Sequence, residues 1–97
     1  MLIHGVRKLE RFWSGDPNAE KSLRQRVRDV EQRDWRDPHE LLEYFPRASI
    51  LPANRAVFRI RGNRYQLVVH VDYFRSNVTV LFVGTHSDYD AIDASRI

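Results

Sequence analysis

Hydrophobic positions in the first half of the chain recur at the spacing of an α-helix. The first run consists of Val6, Leu9, Phe12 and Trp13 and the second of Ala19, Leu23, Val27 and Val30. We expect the first helix to end at Gly15. We expect Asp16 to cap the second, with Pro17 in its first turn. These amphipathic stripes predict helices that share one core.

A third, short helix is predicted after Asp37-Pro38, with Pro46 as its end. Trp13 and Trp35 could in principle stack on nucleic-acid bases. Because both lie beside the apolar stripes of helices, we assign them to the core instead.

The second half of the chain changes to a period of two, which is typical of β-strands. Phe58 and Ile60 alternate with arginines, and Gly62-Asn63 is a two-residue hairpin turn signal. The returning strand places alternate residues on one face, namely Tyr65, Leu67, Val69, Val71 and Tyr73. A third strand is predicted from Val78 to Val83, ended by Gly84. Short connections of this kind predict an antiparallel meander.

The two-residue turn also predicts which residues face each other. The expected pairs are Arg61 with Arg64, Arg59 with Gln66, Val57 with Val68 and Arg55 with His70. If Tyr73 pairs with Val78, then Thr85 lies opposite Gln66 and His86 lies opposite Tyr65. His86 should therefore return to the hairpin end where arginines gather.

The fold class predicted by these elements is α+β, with N-terminal helices packed on one face of a small antiparallel sheet. The sheet is a three-strand meander plus a possible short N-terminal edge strand at Leu2-Ile3-His4. The 97 residues suffice for one domain, residues 1–97. The face expected to bury the helices carries Phe58, Ile60, Leu67, Val69 and Phe82.

Composition and charge limit which cellular location, ligands and cofactors we expect. No cysteine is present and no apolar run approaches the roughly 18 residues of a membrane span, so we expect a cytoplasmic protein without a membrane partner. The net charge is only +3, yet residues 51–75 hold five arginines and one acid, Asp72. Such a local basic field suits a polyanion or an acidic partner surface. His4 and His39 show no ligand spacing, and we predict neither a metal site nor a cofactor.

Three segments resemble the HigB toxins of type II toxin–antitoxin modules. They are Asn54 to Ile60, Gly62 to Val69, and Phe82-Val83-Gly84-Thr85-His86-Ser87-Asp88-Tyr89-Asp90. Helical segments, Asp34-Trp35-Arg36-Asp37-Pro38 among them, follow in the expected order. The resemblance implies a RelE-like fold and an mRNA interferase that cuts mRNA on the ribosome. It also implies a HigA-type helix-turn-helix antitoxin as the partner.

RNA cleavage of this kind needs no metal: a 2′-hydroxyl attacks the adjacent phosphate, helped by a base, an acid and cations. Within the resemblance, His86, Tyr89 and Arg64 are the catalytic candidates. The candidates for binding RNA phosphates are Arg55, Arg59, Arg61, Gln66 and His70. Like charges paired at Arg61 and Arg64 favour an anionic ligand.

Simpler interpretations stand beside these roles. His86 could fasten the chain end by a hydrogen bond, Tyr89 could pack on the sheet, and Asp90 could cap a C-terminal turn. Many HigB toxins carry arginine where this chain has Gln66 and a basic residue where it has Leu81. The alternative function is therefore a relative that binds RNA or an antitoxin with weak or no nuclease activity. A third is a basic interaction domain for an acidic protein.

Overall fold

The computed structural model describes all 97 residues, which form three helices on one face of a five-stranded sheet and a short C-terminal helix on the other. The elements in chain order are β1 (Leu2–His4), α1 (Val6–Gly15), α2 (Glu20–Glu31), α3 (Pro38–Tyr44), β2 (Ser49–Leu51), β3 (Arg55–Ile60), β4 (Tyr65–Asp72), β5 (Asn77–Thr85) and α4 (His86–Asp90). The strand order is β1-β5-β4-β3-β2. The predicted α+β class is confirmed.

Both edge strands extend what the sequence predicts. β1 is the expected short edge strand, but it pairs in parallel with β5, so the sheet is mixed. β2 was not predicted as a strand, and it pairs antiparallel with β3 from Ser49 opposite Val57 to Leu51 opposite Arg55. β2 is only three residues long, too short for a period-two pattern to stand out.

Helix caps follow the prediction at one place and depart from it at another. Asp37 caps α3, and its Oδ1 accepts a hydrogen bond from the Glu40 backbone N–H at 2.9 Å. Asp16 was wrongly predicted to cap α2. A 3₁₀ turn, Pro17–Ala19, precedes α2, and Asp16 Oδ1 instead accepts the Tyr65 hydroxyl at 3.0 Å. Asp16 therefore fastens the α1–α2 connection to β4.

The helix-covered face of the sheet holds the main core, a cluster of seventeen buried residues. Trp35 and Phe58 are its largest fully buried side chains, and Trp13 is buried too. Phe45 meets Trp35 and Phe58 edge-on, with ring centroids 5.6 and 5.0 Å apart. The core role predicted for both tryptophans is confirmed.

The hairpin between β3 and β4 has the predicted register. Arg59 pairs with Gln66, Val57 with Val68, and Arg55 with His70. The strands stop one residue earlier than expected, so Arg61 and Arg64 lie at the two ends of the turn instead of pairing in the sheet. Arg61 and Gly62 both adopt positive φ, 53° and 69°. For Arg61 this left-handed backbone is strained.

The predicted register between β4 and β5 was wrong by two residues at the start of β5 and by one residue near the candidate site. Val71, not Tyr73, pairs with Val78, and a bulge beside Val68 and Val69 leaves Leu81 without a partner. Beyond the bulge, Thr85 pairs with Tyr65 instead of Gln66. Phe82 was also misassigned, because the bulge turns it away from the helices to the opposite face.

The second face of the sheet has a much smaller core. Val57, Val68 and Ala94 are buried there, and α4 with the chain that follows it covers them. The half-buried side chains packed on this cluster are Leu51, Leu81, Phe82, Tyr89, Ile92 and Ile97. The candidate site lies on this face, at the end nearest the β3–β4 turn.

Candidate active site

The segment from Gly84 to Asp90 turns the end of β5 directly into α4. Thr85 is the N-cap: its Oγ1 accepts the Asp88 backbone N–H at 3.2 Å, and Asp88 Oδ2 accepts the Thr85 N–H at 3.1 Å. This reciprocal pair is a capping box. A Cβ on Gly84 would lie 2.7 Å from Phe82 Cζ and 2.9 Å from Asp88 Cβ. Glycine is therefore required where strand and helix approach each other.

His86, the first residue of α4, is held against the hairpin turn through its backbone. Its N–H donates to the Arg64 carbonyl at 3.1 Å. The ring is 54% exposed and places Nε2 3.4 Å from Asp90 Oδ2. On the other side Nδ1 lies 3.4 Å from Gln66 Nε2. A ring with a carboxylate on one nitrogen, an amide on the other and open access to solvent is a positioned proton carrier.

Gln66 is the one buried polar side chain of the protein, with 2% of its surface exposed. Its Nε2 donates to Asn63 Oδ1 at 2.6 Å and lies 3.3 Å from the Asn63 carbonyl. The Gln66 Oε1 atom is buried without a partner. The His86 site is defined here as His86, Asp90, Gln66, Asn63 and Arg64.

Tyr89 follows His86 by three residues on α4, so the two side chains share a helix face. Its ring is half-buried and packs on the small cluster of Val57, Val68 and Ala94. The packing role considered for Tyr89 is therefore present in the structure. Leu81 packs on the same cluster and forms part of its apolar surface.

The arginines predicted to bind phosphate do not converge on His86. Arg64 is joined to His86 through its backbone carbonyl and has an exposed side chain. Arg59 Nη1 donates to the Arg47 carbonyl, and Arg61 Nη1 donates to the Asn18 carbonyl at 3.3 Å. Arg59 and Arg61 thus reach away from α4, toward the β2 and α2 side. Of the five predicted binding residues, only Gln66 touches the ring of His86.

Arg55 and His70 lie at the far end of the hairpin, paired with each other across β3 and β4. Arg55 donates through its guanidinium to the carbonyls of Ile97 and Ala53. These bonds tie β3 to the last residue of the chain. His70 is half-buried. Neither residue is brought to His86 by the fold.

Sequence reasoning missed two partners of the site. Asp90 was expected to cap a turn, yet it pairs with His86, and Asp88 makes the cap instead. The i,i+4 spacing of His86 and Asp90 is the signal that could have found the pair, once the segment is taken as a helix. Asn63, expected only as a turn residue, also holds the Gln66 amide.

The fold offers no group of three or more His, Cys, Asp or Glu side chains placed to hold a metal ion. None of its helices has the length and apolar character needed to cross a membrane.

Comparison with known families identifies the class of protein. A family model described as HigB_toxin, the RelE-like toxic component of a toxin–antitoxin system, matches residues 19–92. The match includes α2 to α4, all strands except β1, and the whole His86 site. The chain is thus a toxic component of this kind, and it belongs to the HigB toxin family. A search of curated proteins found no match. Membership implies an antitoxin as partner.

Proposed function

We propose that this toxin is an endoribonuclease that cleaves mRNA on the ribosome, and so inhibits translation in the cytoplasm. This proposal rests on where the fold places His86. Its ring is exposed at the start of α4, held between Asp90 and Gln66, and tied by its backbone to the turn that bears Arg64. Cleavage of RNA needs at least a group that transfers protons and a cation that stabilises the charge on the phosphate, and His86 and Arg64 are candidates for these two roles.

The proposed reaction is metal-independent. The RNA 2′-oxygen attacks the neighbouring phosphorus as the bond from phosphorus to the next nucleotide's 5′-oxygen breaks. The products are a 2′,3′-cyclic phosphate and a 5′-hydroxyl. The 2′-hydroxyl loses a proton and the leaving 5′-oxygen gains one; His86 carries one of these two protons and water the other, and Asp90 stabilises the imidazolium form of His86. Arg64 offsets the added negative charge on the phosphate, and Tyr89 supplies a ring on which a base can stack.

The test is expression of the chain in cells, with primer extension to map cleavage in mRNA. His86→Ala should lower cleavage by about 10²- to 10⁴-fold, the usual contribution of a general acid or base. The matched control is His39→Ala. His39 is also exposed and sits 3.2 Å from Glu43 at i,i+4 spacing on α3, remote from the His86 site in the fold. It should cleave like the parent.

A second function, binding RNA or an antitoxin with weak or no cleavage, is favoured by a specific observation. Gln66 is buried and Leu81 is packed at positions where many HigB toxins carry cations, which leaves Arg64, in the turn bonded to His86, as the remaining cationic candidate. Growth arrest without codon-linked cleavage, equally strong in His86→Ala, would establish this function and exclude the enzymatic one.

The proposed antitoxin is a helix-turn-helix protein of the HigA type. Co-expression of the chain with the product of an adjacent short reading frame should yield a complex that restores growth. Failure of every neighbouring product to bind would contradict this partner.

A further inference from the structure

The structure contains a second cationic region, on the other side of the hairpin turn from His86. Two adjoining recesses of about 480 and 290 Å³ lie between α2, the start of β2 and the end of β3. Both are lined by Arg26 and Arg61. The five basic side chains that line them are Lys21, Arg26, Arg47, Arg59 and Arg61, here called the basic groove. Asp29 is the single acid in their lining.

The groove exists because β2 is short. β2 pairs with β3 only from Arg55 to Val57, so the β3 edge beyond Val57 has no neighbouring strand. Arg59 projects over this edge and donates to the carbonyl of Arg47. The gap beside β3 is thus lined by arginine side chains.

Arg26 is the most buried cation of the groove, with 23% of its side chain exposed. Its guanidinium lies 4.9 Å from the Phe45 ring centroid and 5.2 Å from that of Phe58. The nearest carboxylate oxygen, on Asp29, is 4.0 Å away. Burial lowers the pKa of Arg26 from its ordinary value, while Asp29 acts to raise it. The aromatic rings therefore hold a charged group whose one carboxylate partner lies at the outer limit of an ion pair.

Arg61 reaches the groove at the expense of a strained backbone. Its φ of 53° lies in the left-handed region that L-residues seldom adopt. Its side chain then extends to the Asn18 carbonyl at 3.3 Å, at the α2 side of the groove. Arginines that bind backbone carbonyls, as Arg59 and Arg61 do, keep their full positive charge. Gathering such charges is unfavourable unless an anion joins them.

We propose that the basic groove binds the phosphodiester backbone of RNA, as a site separate from the His86 site. This inference rests on the proposed function for its ligand. The turn from Arg61 to Arg64 separates the two sites, so one RNA strand crossing the turn would meet both. The larger recess has one apolar lining residue, Ile60, which suits phosphates better than the side chains of an added peptide strand.

The experiment measures binding of a short fluorescein-labelled single-stranded RNA, and of ribosomes by co-sedimentation, in a His86→Ala background that prevents cleavage. The groove variant is Lys21→Gln with Arg47→Gln, both exposed residues. The matched control removes one lysine and one arginine from α1, as Lys8→Gln with Arg11→Gln, also exposed. α1 packs over β5, away from β3.

The groove variant should weaken RNA binding roughly tenfold and reduce the slope of log affinity against log salt by about 1.4, for two lost phosphate contacts. The control should bind like the His86→Ala parent. If the short RNA shows the loss, the phosphates belong to the strand to be cut. If only ribosome binding falls, they belong to ribosomal RNA, and the proposal again stands.

Three results would overturn the proposal: binding of both RNAs unchanged in the groove variant, equal losses in the control, or no binding of either RNA by the His86→Ala parent. Loss of antitoxin capture with unchanged RNA binding would assign the groove to an acidic protein instead. Cleavage is scored separately in chains that retain His86. If chains that retain His86 never cut RNA, while the groove variant still weakens RNA binding, the nuclease function is refuted and the groove proposal stands.

Discussion

The two faces of the sheet differ in how they are covered and in what they carry. The helix-covered face has seventeen buried residues in one cluster, whereas the opposite face has three beneath α4 and the chain end. The charged residues of the candidate site belong to the thinly covered face. A small domain that must leave a surface open to a large ligand can place its stability on one side of the sheet and its chemistry on the other.

The largest expected effect is on the helix-covered face. Phe58→Ala should lower the free energy of unfolding by about 3–5 kcal/mol, because Phe58 is fully buried against Phe45 and Arg26. Urea denaturation followed by circular dichroism measures the loss. Leu81→Ala, on the half-buried second cluster, should cost much less. Equal losses would show that the second face contributes as much stability as the first.

Adjacent valines of β4 provide a closer comparison, since Val68 and Val69 are both fully buried but face opposite sides. Val69→Ala should cost about 2–3 kcal/mol, because its cavity opens in the larger core. Val68→Ala should cost about 1 kcal/mol, since its thin cover can collapse onto the gap. Cleavage should show the reverse order, because Val68 supports the packing of Tyr89. A reversed order of stability would contradict the division of roles.

Gly84→Ala tests the junction that delivers His86. The added methyl group would meet Phe82 and Asp88 at less than 3.0 Å, so α4 must shift. We expect a loss of about 1–2 kcal/mol, typical of overpacking, with a proportionally larger fall in RNA cleavage. Gly15→Ala is the control, since nothing lies within 4 Å of its added Cβ. Cleavage unchanged in Gly84→Ala would show that the His86 position is not critical.

The smallest effect concerns alkaline stability. Burial raises the pKa of the Tyr65 hydroxyl, and its hydrogen bond to Asp16 raises it further. The folded state therefore holds this proton more tightly than the unfolded state. The stabilisation by this proton is complete below the pKa of tyrosine in the unfolded chain, about 10, and is lost as pH rises through the higher pKa of Tyr65 in the folded state.

Tyr65→Phe should flatten this alkaline decline, as measured by thermal unfolding at a series of pH values. Tyr44→Phe, at a ring that is 47% exposed, should keep the parent's decline. An unchanged decline in Tyr65→Phe would place the alkaline sensitivity elsewhere.

Much of the fold was predictable because local patterns determine it. The helical stripes and the β3–β4 register follow from residue spacing and a short turn, and both are confirmed. The β4–β5 register was not predictable, because an unpaired Leu81 leaves no mark in the alternation of apolar residues. Phe82 was misassigned for the same reason.

The candidate site was predictable in part. The return of His86 to the hairpin turn was expected and is seen in its bond to Arg64. The directions of Arg59 and Arg61 were not, because a long flexible side chain can leave the face on which its Cβ lies. Backbone carbonyls at Arg47 and Asn18 decide those directions, and they become neighbours only in the folded chain.

The unpaired Leu81 also limits how the length of β5 can change. The bulge puts Val80 and Val83 on the helix side although three positions separate them. Leu81 and Phe82 both lie on the side of α4, so losing one of them would remove the bulge and leave Val80 and Val83 on the helix side. Losing a residue elsewhere in β5 would instead reverse the side of every residue on one flank. Either apolar residues would then leave the main core, or Gly84 and His86 would approach the helices. In an alignment of related chains, a single gap at Leu81 or Phe82 would therefore mark a strand without the bulge, whereas a gap elsewhere in β5 would mark a rebuilt site.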